Sequence, residues 1–380
     1  YEIGVRLVGS EMCIRDRGDT RFPYISVVDG EGGYNFGEIG QTGVGGVAIK
    51  TIGTPNLTWE TATKHNIGVD IGLFSKFTLT VDMFKDTRKN IFMKRDHIPG
   101  TVGLSGGQIP WANVGKMENM GFDGTMAYSD KIGDVSYTLR GNITYSNTNV
   151  IDYDEAANEL NYKMTKGYRW SQTRGLIALG LFKDEADIEN SPVHSFGPVK
   201  PGDIKYKDLN GDGVINENDR TNIGSPMPKF TFGWNNTFRY KGFDLSIFIN
   251  GSYGNKVMNL TKRNLTTMSS PWANQHADVL KRAQLEPIDP SIVYTDGTKW
   301  YNHVENVRVA NPNASLPRAI IGDPNDNDRI SDRYVEDGSY IRLKNISLGY
   351  TFPKKWMSKC GVENPVSYTH LRAHETDSYL

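Results

Sequence analysis

The sequence predicts an all-β protein that forms part of a transmembrane antiparallel β-barrel with long extracellular loops. Three observations lead to this prediction. Apolar and polar residues alternate along seven segments, tight turns join six of these segments into pairs, and long connections separate the pairs. No run approaches the ~18 apolar residues that a membrane-spanning helix needs. Transmembrane strands alternate and escape a hydropathy window, so a mean hydropathy of −0.51 does not make the protein soluble.

The composition supports strands and excludes several classes of function. Glycine, tyrosine and phenylalanine occur 40, 19 and 15 times among 380 residues, which is typical of strands and turns. A net charge of −1 does not suggest a nucleic-acid partner. Two cysteines are too few for a disulfide scaffold or zinc cluster. The sequence holds no HExxH, Walker or strand-linked GxGxxG pattern. We therefore predict that the protein is not an enzyme and requires no cofactor.

The two ends of the sequence are expected to be foreign to the gene. DNA that encodes residues 7–16 (LVGSEMCIRD) also encodes residues 366–375 (VSYTHLRAHE) when it is read in antisense. Both segments resemble translated sequencing adapter in opposite orientations. We therefore set residues 1–17 and 366–380 apart from the fold and assign residues 18–365 to the barrel.

The strands are predicted from period-two alternation, because successive side chains of a strand point to opposite faces. The first hairpin turns at residues 73–76, the second near 130–133 and the third at 241–242, and a seventh strand covers about residues 340–352. The apolar positions are Ile67, Val69, Ile71, Phe77, Leu79, Val81 and Met83; Met120, Phe122, Met126, Tyr128, Val135, Tyr137, Leu139, Ile143 and Tyr145; Phe230, Phe232, Trp234, Phe238, Tyr240, Phe243, Leu245, Ile247 and Ile249; and Ile346, Leu348, Tyr350 and Phe352.

The connections between hairpins favour a membrane barrel. They cover about residues 92–115, 150–228 and 254–338, and long structureless loops are uncommon in compact soluble domains. Tight turns at one end and long loops at the other are the plan of an outer-membrane barrel, whose apolar outer face carries aromatic residues and whose lumen is polar. A soluble sandwich would alternate in the same way with its apolar face inward. Loop asymmetry and aromatic content favour the membrane over the sandwich.

Residues 208–219 (DLNGDGVINEND) have the spacing of a calcium loop, with a glycine at the sharp turn in position 6. The flanking sequences do not predict helices, so a calcium sensor is excluded. We expect a structural Ca²⁺ that stiffens the loop. The alternative is a metal-free turn held by Asx hydrogen bonds, for which the same composition serves. The candidate ligands at positions 1, 3, 5, 7 and 12 are Asp208, Asn210, Asp212, Val214 (through its carbonyl) and Asp219.

Other polar and aromatic residues have simpler explanations than a site. The histidines outside the terminal segments lack ligand spacing, and we expect them to be polar residues of loops and rims. Aromatic residues of the long loops are explained better by loop packing than by stacking on sugar rings. The histidines are His65, His97, His194, His276 and His303, and the aromatic residues are Trp111, Tyr168, Trp170, Trp272, Trp300 and Tyr301.

Four stretches of the sequence resemble the SusC/RagA family of TonB-dependent outer-membrane transporters. The longest is residues 201–255, which contains DLNGDGVINENDR and KFTFGWNNTFRYKGFDLSIF. Residues 57–92 and 334–356 are similar to an earlier strand pair and a later strand of the same barrel, and residues 112–130 to the stretch between them. The resemblance runs in order through residues 20–357.

The resemblance implies a slice of a barrel of about 22 strands whose lumen is closed by a plug domain. It implies import of glycans, oligosaccharides or peptides across the outer membrane of Bacteroidota, with outer-membrane lipid around the barrel. The implied partners are a SusD-like surface lipoprotein and TonB, the latter through a region that this sequence lacks, together with the plug and the final strands. A secreted or surface β-rich binding or adhesin module with a calcium-stiffened loop is the alternative function.

Overall fold

The structure, a computed structural model, describes residues 2–14, 22–36, 42–104, 106–269, 272, 274–295, 297–353 and 366–372. The strands are β1 (Glu2–Ile14), β2 (Val27–Phe36), β3 (Thr42–Thr51), β4 (Glu60–Leu73), β5 (Phe77–Lys94), β6 (Trp111–Ile132), β7 (Val135–Asp152), β8 (Thr173–Gly175), β9 (Ala178–Leu181), β10 (Val193–His194), β11 (Ile204–Tyr206), β12 (Val214–Ile215), β13 (Thr221–Gly224), β14 (Phe230–Tyr240), β15 (Phe243–Tyr253), β16 (Lys256–Met258), β17 (Leu285–Pro287), β18 (Val307–Val309), β19 (Val335–Asp337), β20 (Tyr340–Thr351) and β21 (Val366–Arg372).

The helices are short. Two α-helices, α1 (Glu185–Glu189) and α2 (Leu260–Thr266), lie in the long connections. No helix among the described residues is long and apolar enough to cross a membrane. Single 3₁₀ turns occur at Gly100–Val102, Asn161–Lys163, Glu217–Asp219, Ala277–Lys281, Trp300–Asn302, Val304–Asn306 and Asp332–Tyr334.

One antiparallel sheet organises the described part of the chain. Its nine strands follow the order β1, β4, β5, β6, β7, β14, β15, β20, β21. The seven strands predicted from alternation are β4 to β7, β14, β15 and β20, and they are neighbours in sequence order, as in a meander. The predicted pairing of hairpins is therefore confirmed.

The three predicted turns join β4 to β5, β6 to β7 and β14 to β15. Tyr240 pairs with Phe243 across the third turn, and its two central residues, Lys241 and Gly242, have φ of 44° and 90°. A two-residue turn with positive φ at both positions has the twist that an antiparallel hairpin requires. Gly133 supplies positive φ (61°) at the second turn.

The strand register places the aromatic residues of the apolar face in two belts. Near the tight turns, the ring centroids of Tyr137 and Phe238 lie 4.8 Å apart. Toward the long connections, the ring centroids of Tyr145 and Phe230 are also 4.8 Å apart. Aromatic residues at both ends of the apolar face are typical of the lipid-facing surface of a barrel.

Between the belts, an apolar groove of about 410 Å³ crosses the same face. The Trp234 ring lies over Gly141, where a Cβ atom would come within 2.7 Å of the Trp234 Cε3 atom. Only glycine at this position lets the large ring cover the neighbouring strand.

The opposite face carries polar pairs across neighbouring strands. Thr80 Oγ1 donates to Asp70 Oδ1 at 2.8 Å, and Thr144 Oγ1 donates to Asp123 Oδ1 at 2.6 Å. Polar side chains that bond to one another along one face suit a surface that meets water. The two faces of the sheet therefore differ in the way that the sequence predicts.

The strands are longer than the alternation predicted. β5, β6 and β7 contain 18, 22 and 18 residues, whereas a strand needs about 9–11 residues to cross the hydrocarbon. The ladder continues beyond the apolar face through residues that do not alternate, such as Ile91, Phe92 and Met93 at the end of β5. The first connection is therefore only residues 95–110, not 92–115 as predicted.

The two longer connections, residues 153–229 and 254–339, are not structureless as expected. We call them together the loop layer. They contain short strand pairs, both α-helices and most of the buried side chains of the described residues. Leu176, Ile204 and Ile215 are fully buried there and pack with Tyr206, which is 1% exposed. The loops bury apolar side chains against each other, which the sheet does not do with either of its faces.

Main-chain hydrogen bonds join the two loops. Leu176 N donates to Ile330 O at 3.1 Å, and Asp332 N donates to Leu176 O at 3.0 Å. The two connections thus fold on each other as one unit at the end of the sheet opposite the tight turns.

The terminal segments that we expected to be foreign extend the sheet at its two edges. β1 pairs with β4 and β21 pairs with β20, both antiparallel. Main-chain groups carry such pairing whatever the side chains, so the foreign origin stays a prediction. Residues 1, 15–17 and 373–380 of these segments lie outside the described residues. β2 and β3 form a separate hairpin that the sequence analysis did not predict.

Candidate functional site

The predicted calcium loop, residues 208–219, lies on the surface of the loop layer. Its central strand β12 pairs in parallel with β10, so that Ile215 aligns with His194. Ile215 occupies position 8 of the loop, and its side chain is fully buried in the core of the loop layer. The loop is therefore anchored by an apolar side chain at the position where calcium loops carry one.

The first half of the loop is held by carboxylate–amide hydrogen bonds. Asp208 Oδ1 accepts from Gly211 N at 2.7 Å, and Asp208 Oδ2 accepts from Gly213 N at 2.8 Å. Asp212 Oδ1 accepts from Val214 N at 2.8 Å, and Asn210 Nδ2 donates to Asp212 Oδ2 at 2.7 Å. These are the Asx-type contacts that stabilise tight turns.

The amides around Asp208 stabilise its charge. Burial acts to raise the pKa of this carboxyl, but the hydrogen bonds from Gly213 and Gly211 outweigh burial, and the net pKa is lowered. Asp208 is therefore ionised at neutral pH, as a ligand of a hard cation must be.

Asp219 connects the two ends of the loop. Its side chain is fully buried, Oδ1 accepts from Leu209 N at 2.8 Å and Oδ2 accepts from Asn216 N at 2.8 Å. The second contact belongs to a capping box at the start of the 3₁₀ turn Glu217–Asp219. Each carboxylate oxygen has a second lone pair, so these bonds are compatible with a cation.

The five candidate residues follow one another along one turn, but the structure does not bring the carboxylates of Asp208, Asp212 and Asp219 together as a metal-binding group. The oxygen set of three carboxylates, one amide and one carbonyl suits Ca²⁺ by its chemistry. The hydrogen bonds described above also hold the turn without metal. Within the described residues, no group of three or more His, Cys, Asp and Glu side chains has the geometry of a metal site.

Sequence analysis missed a buried polar cluster between the two loops. Arg318 Nε donates to Asp203 Oδ1 at 2.7 Å, and Asn327 Nδ2 donates to the same oxygen at 3.0 Å. Asn327 Nδ2 also donates to Asp323 Oδ1 at 2.7 Å. The partners are 115 and 124 residues apart in sequence, so no local spacing could predict the pairing. The density of Asp and Asn in residues 323–328 was the available signal.

His194 is part of this cluster, and it is a buried polar residue of the loop layer. It is 7% exposed, its Nδ1 lies 3.1 Å from Asn325 Oδ1, and its ring lies 5.4 Å from the Phe182 ring and 5.6 Å from the Tyr206 ring. Burial lowers the pKa of His194, because a desolvated imidazolium is disfavoured. The residue joins the loops as a neutral side chain.

A pair of carboxyl groups lies next to the cluster. A hydrogen bond with Asp326 and burial together raise the pKa of Asp328 to about 6. Arg263 opposes this shift, because its Nη2 atom lies 2.9 Å from Asp328 Oδ2. Two carboxyl groups at hydrogen-bond distance cannot both ionise easily, so this part of the loop layer titrates near neutral pH.

Comparison with known proteins gives the family. The family described as "TonB dependent receptor-like, beta-barrel" matches residues 21–364. The chain belongs to this family. TonB-dependent receptor P3 of Formosa agariphila is 28% identical over 338 residues, which cover 86% of this chain and 30% of that receptor. TonB-dependent receptor SusC of Bacteroides thetaiotaomicron is 24% identical over 314 residues, which cover 80% of this chain and 27% of SusC.

Solved structures agree on the fold of this TonB-dependent receptor segment. The RagAB peptide importer in its closed-closed state matches 98% of the chain with a TM-score of 0.64 at 16% identity, over 37% of that chain. The open-open state gives a TM-score of 0.66 at 17% identity, over 36% of that chain. The SusC/RagA resemblance, the all-β barrel fold and the outer-membrane location are thus confirmed. The chain spans about 30% of the length of its curated relatives.

Proposed function

We propose that this chain is the part of a TonB-dependent outer-membrane importer that forms one side of the barrel wall and carries the docking face for a SusD-like lipoprotein. The observation that carries the proposal is the sheet with one aromatic apolar face and one polar face, topped by a folded loop layer. The apolar face meets lipid, the polar face lines the lumen, and the loop layer stands at the extracellular mouth.

The cargo is proposed to be a glycan or oligosaccharide, with a peptide as the alternative. SusC and the RagAB peptide importer are the named relatives that suggest these two classes. TonB would act through regions beyond this segment, and the proposal assigns the chain no catalytic step. A secreted adhesin has no use for an apolar outer face with two aromatic belts, which argues against the alternative function.

The test uses the complete receptor in a Bacteroidota host from which related receptors have been deleted. Labelled oligosaccharides and labelled peptides are supplied separately, and uptake is followed in cells with and without TonB. We expect uptake of one cargo class that stops when TonB or the lipoprotein partner is removed. Uptake that continues without TonB would contradict an energised importer.

We further propose that residues 208–219 hold a structural Ca²⁺ and that the ion stiffens the loop layer. Support comes from the ionised Asp208, the buried Ile215 and the spacing of the oxygen ligands. Protease cleavage of the complete receptor within this loop should accelerate at least tenfold when EGTA removes Ca²⁺. Asp212→Asn should cleave rapidly with or without Ca²⁺, whereas Glu217→Gln, at an exposed position of the same loop, should behave as wild type. A cleavage rate that does not respond to EGTA would leave the Asx-turn interpretation.

A further inference from the structure

A small pocket lies where β7 meets the loop layer. Its volume is about 190 Å³, roughly the space of six water molecules, which is enough for one sugar ring. We call it the rim pocket. It is lined by aromatic and hydrogen-bonding side chains without a carboxylate, among them Tyr153, Thr165, Tyr168, Trp170, Gln172 and Arg174.

The chain builds the rim pocket by extending the barrel sheet. Val150 N donates to Tyr168 O at 2.9 Å, and Trp170 N donates to Thr148 O at 2.9 Å, with an antiparallel bridge between Asn149 and residue 169. Residues paired across strands point to the same face. Tyr168 and Trp170 therefore lie on the face of Val150 and Thr148, which is the polar face of β7 and continues the lumen wall.

Two arginines fix the walls of the rim pocket. Arg169 Nη1 donates to Met227 O at 2.8 Å, and Arg169 Nη2 donates to Pro228 O at 2.9 Å. Arg174 Nη2 donates to Met164 O at 2.6 Å, and its Nη1 donates to the carbonyl of residue 163. These main-chain contacts position both arginines. Arg169 pairs with Asn149 and lies on the face opposite Tyr168 and Trp170. A guanidinium has five N–H donors, so Arg174 keeps donors for a ligand.

The backbone beside Trp170 is strained in a way that presents the indole. Ser171 has φ of 62°, a left-handed conformation that a non-glycine residue adopts at a cost in free energy and that clusters at ligand-binding sites. Trp170, the residue before it, is 41% exposed. A large aromatic ring held out toward the pocket by a strained neighbour is available for stacking.

Polar atoms without a protein partner lie on residues that flank the rim pocket. Asn222 pairs with Arg174 across two short strands, and both polar atoms of its side chain are shielded without a hydrogen-bond partner in the described structure. The Arg169 Nε atom is also shielded and has no hydrogen-bond partner in the described structure. Buried polar groups are nearly always satisfied in folded proteins by protein or by water, so these atoms are available to water or to a polar ligand.

The pocket favours a sugar over a peptide. Peptides add to sheet edges through main-chain hydrogen bonds, but at Thr148 both edges of β7 are occupied, by Asn119 of β6 on one side and by Trp170 on the other. What remains for a ligand is an aromatic face and a set of side-chain donors and acceptors. A pyranose ring offers the matching groups, an apolar C–H face and several hydroxyls.

We propose that the rim pocket binds one sugar residue of a glycan at the lumen entrance, with Trp170 stacked on the ring and Arg174 and Gln172 bonded to its oxygens. The inference rests on the proposed import function, since it places the cargo on the lumen side of the mouth. Trp170 would then hold the chain end while the rest of the glycan enters the barrel.

The test is equilibrium binding to the purified complete receptor in detergent. The probes are hexasaccharides of glucose, mannose, galactose, xylose and galacturonate, and a control set of hexapeptides, measured by titration calorimetry. We expect at least one oligosaccharide to bind and Trp170→Ala to weaken that binding at least tenfold. Trp111→Ala is the matched control, because Trp111 is 37% exposed at the same end of the sheet, and it should stay within twofold. Gln172→Ala should weaken binding without disturbing the arginine anchors.

The outcomes separate this inference from the proposed function. Equal binding by wild type and Trp170→Ala, equal losses in Trp170→Ala and Trp111→Ala, or binding of peptides alone would each overturn the rim pocket as a sugar site. Failure of every oligosaccharide to bind wild type would do the same. If Trp170→Ala alone loses sugar binding but uptake continues without TonB, the rim pocket is supported as a sugar site and the energised importer is contradicted.

Discussion

Replacing Leu139 by arginine tests which medium the apolar face of the sheet meets. Leu139 lies in the part of β7 nearer the tight turn, where it pairs with Tyr128 of β6 and Asn236 of β14. It follows Gly133 of the tight turn by about six residues, or roughly 20 Å along the strand at about 3.3 Å per residue. With a strand tilt of about 40°, this places Leu139 about 15 Å above the turn.

The depth sets the size of the effect. The apolar band of an outer-membrane barrel is about 25 Å tall, so Leu139 lies near its middle. Arginine at the midplane costs about 2–4 kcal/mol, and near the interfaces about 0–1 kcal/mol. Leu245, about three residues past Gly242, lies closer to the turn, and Leu245→Arg should cost about 1–2 kcal/mol by the same depth dependence. The neighbour of Leu139 on the polar face, Thr138, is the matched control, and Thr138→Arg should change stability by about 0.5 kcal/mol or less.

The assay is denaturant unfolding of the complete receptor in phospholipid vesicles. The free energy of unfolding is taken from the transition midpoint and slope for each variant. The expected order of loss is Leu139→Arg, then Leu245→Arg, then Thr138→Arg. Equal losses of unfolding free energy for Leu139→Arg and Thr138→Arg, or no loss for either, would show that the apolar face is not in hydrocarbon. The assignment of this face to the outside of a membrane barrel would then be wrong.

Two further predictions concern the loop layer. Arg318→Met leaves the fully buried carboxylate of Asp203 without its counter-charge, so it should destabilise the loop layer by about 3–5 kcal/mol. The control is Arg308→Met, which breaks a solvent-exposed ion pair and should cost less than about 1 kcal/mol. Pulse proteolysis measures both losses of stability. Because the pKa of Asp328 is about 6 in the folded protein, above its ordinary 3.8, the folded state binds more protons between these values. The contribution of Asp328 to stability should therefore be fully present below about pH 4 and be lost as the pH rises through about 6. Asp326→Asn removes the carboxyl that bonds to Asp328, so it should flatten the pH dependence of the proteolysis rate between pH 4 and 8. An unchanged pH profile would contradict a proton shared by Asp326 and Asp328.

The strand pairs were predictable because their signal is local. Alternation along β14 and β15 identifies which side chains share a face, and the Lys241-Gly242 turn sets the register between them. The strand ends were not predictable. Beyond the apolar face the ends of β5 to β7 mix polar and apolar residues without alternation, although the hydrogen-bond ladder continues.

The candidate site was predictable in composition and not in placement. The spacing of Asp208, Asn210 and Asp212 identifies a turn rich in oxygen ligands. The burial of Ile215 and the two main-chain contacts of Asp219 depend on what packs beneath the loop. The rim pocket gave no sequence signal beyond loop aromatic residues, because Trp170 acquires its position only by pairing with the end of β7.

By itself, the sequence determined that this chain makes paired strands with one aromatic and one polar face, since side chains two residues apart share a face whatever the rest of the protein does. The tertiary structure alone decided that the long connections fold into one layer. Asp203 meets Arg318 and Asn327 across more than a hundred residues, and no periodicity reaches that far. Contacts of this kind exist only after the chain has brought the two loops together, and they create the buried cluster.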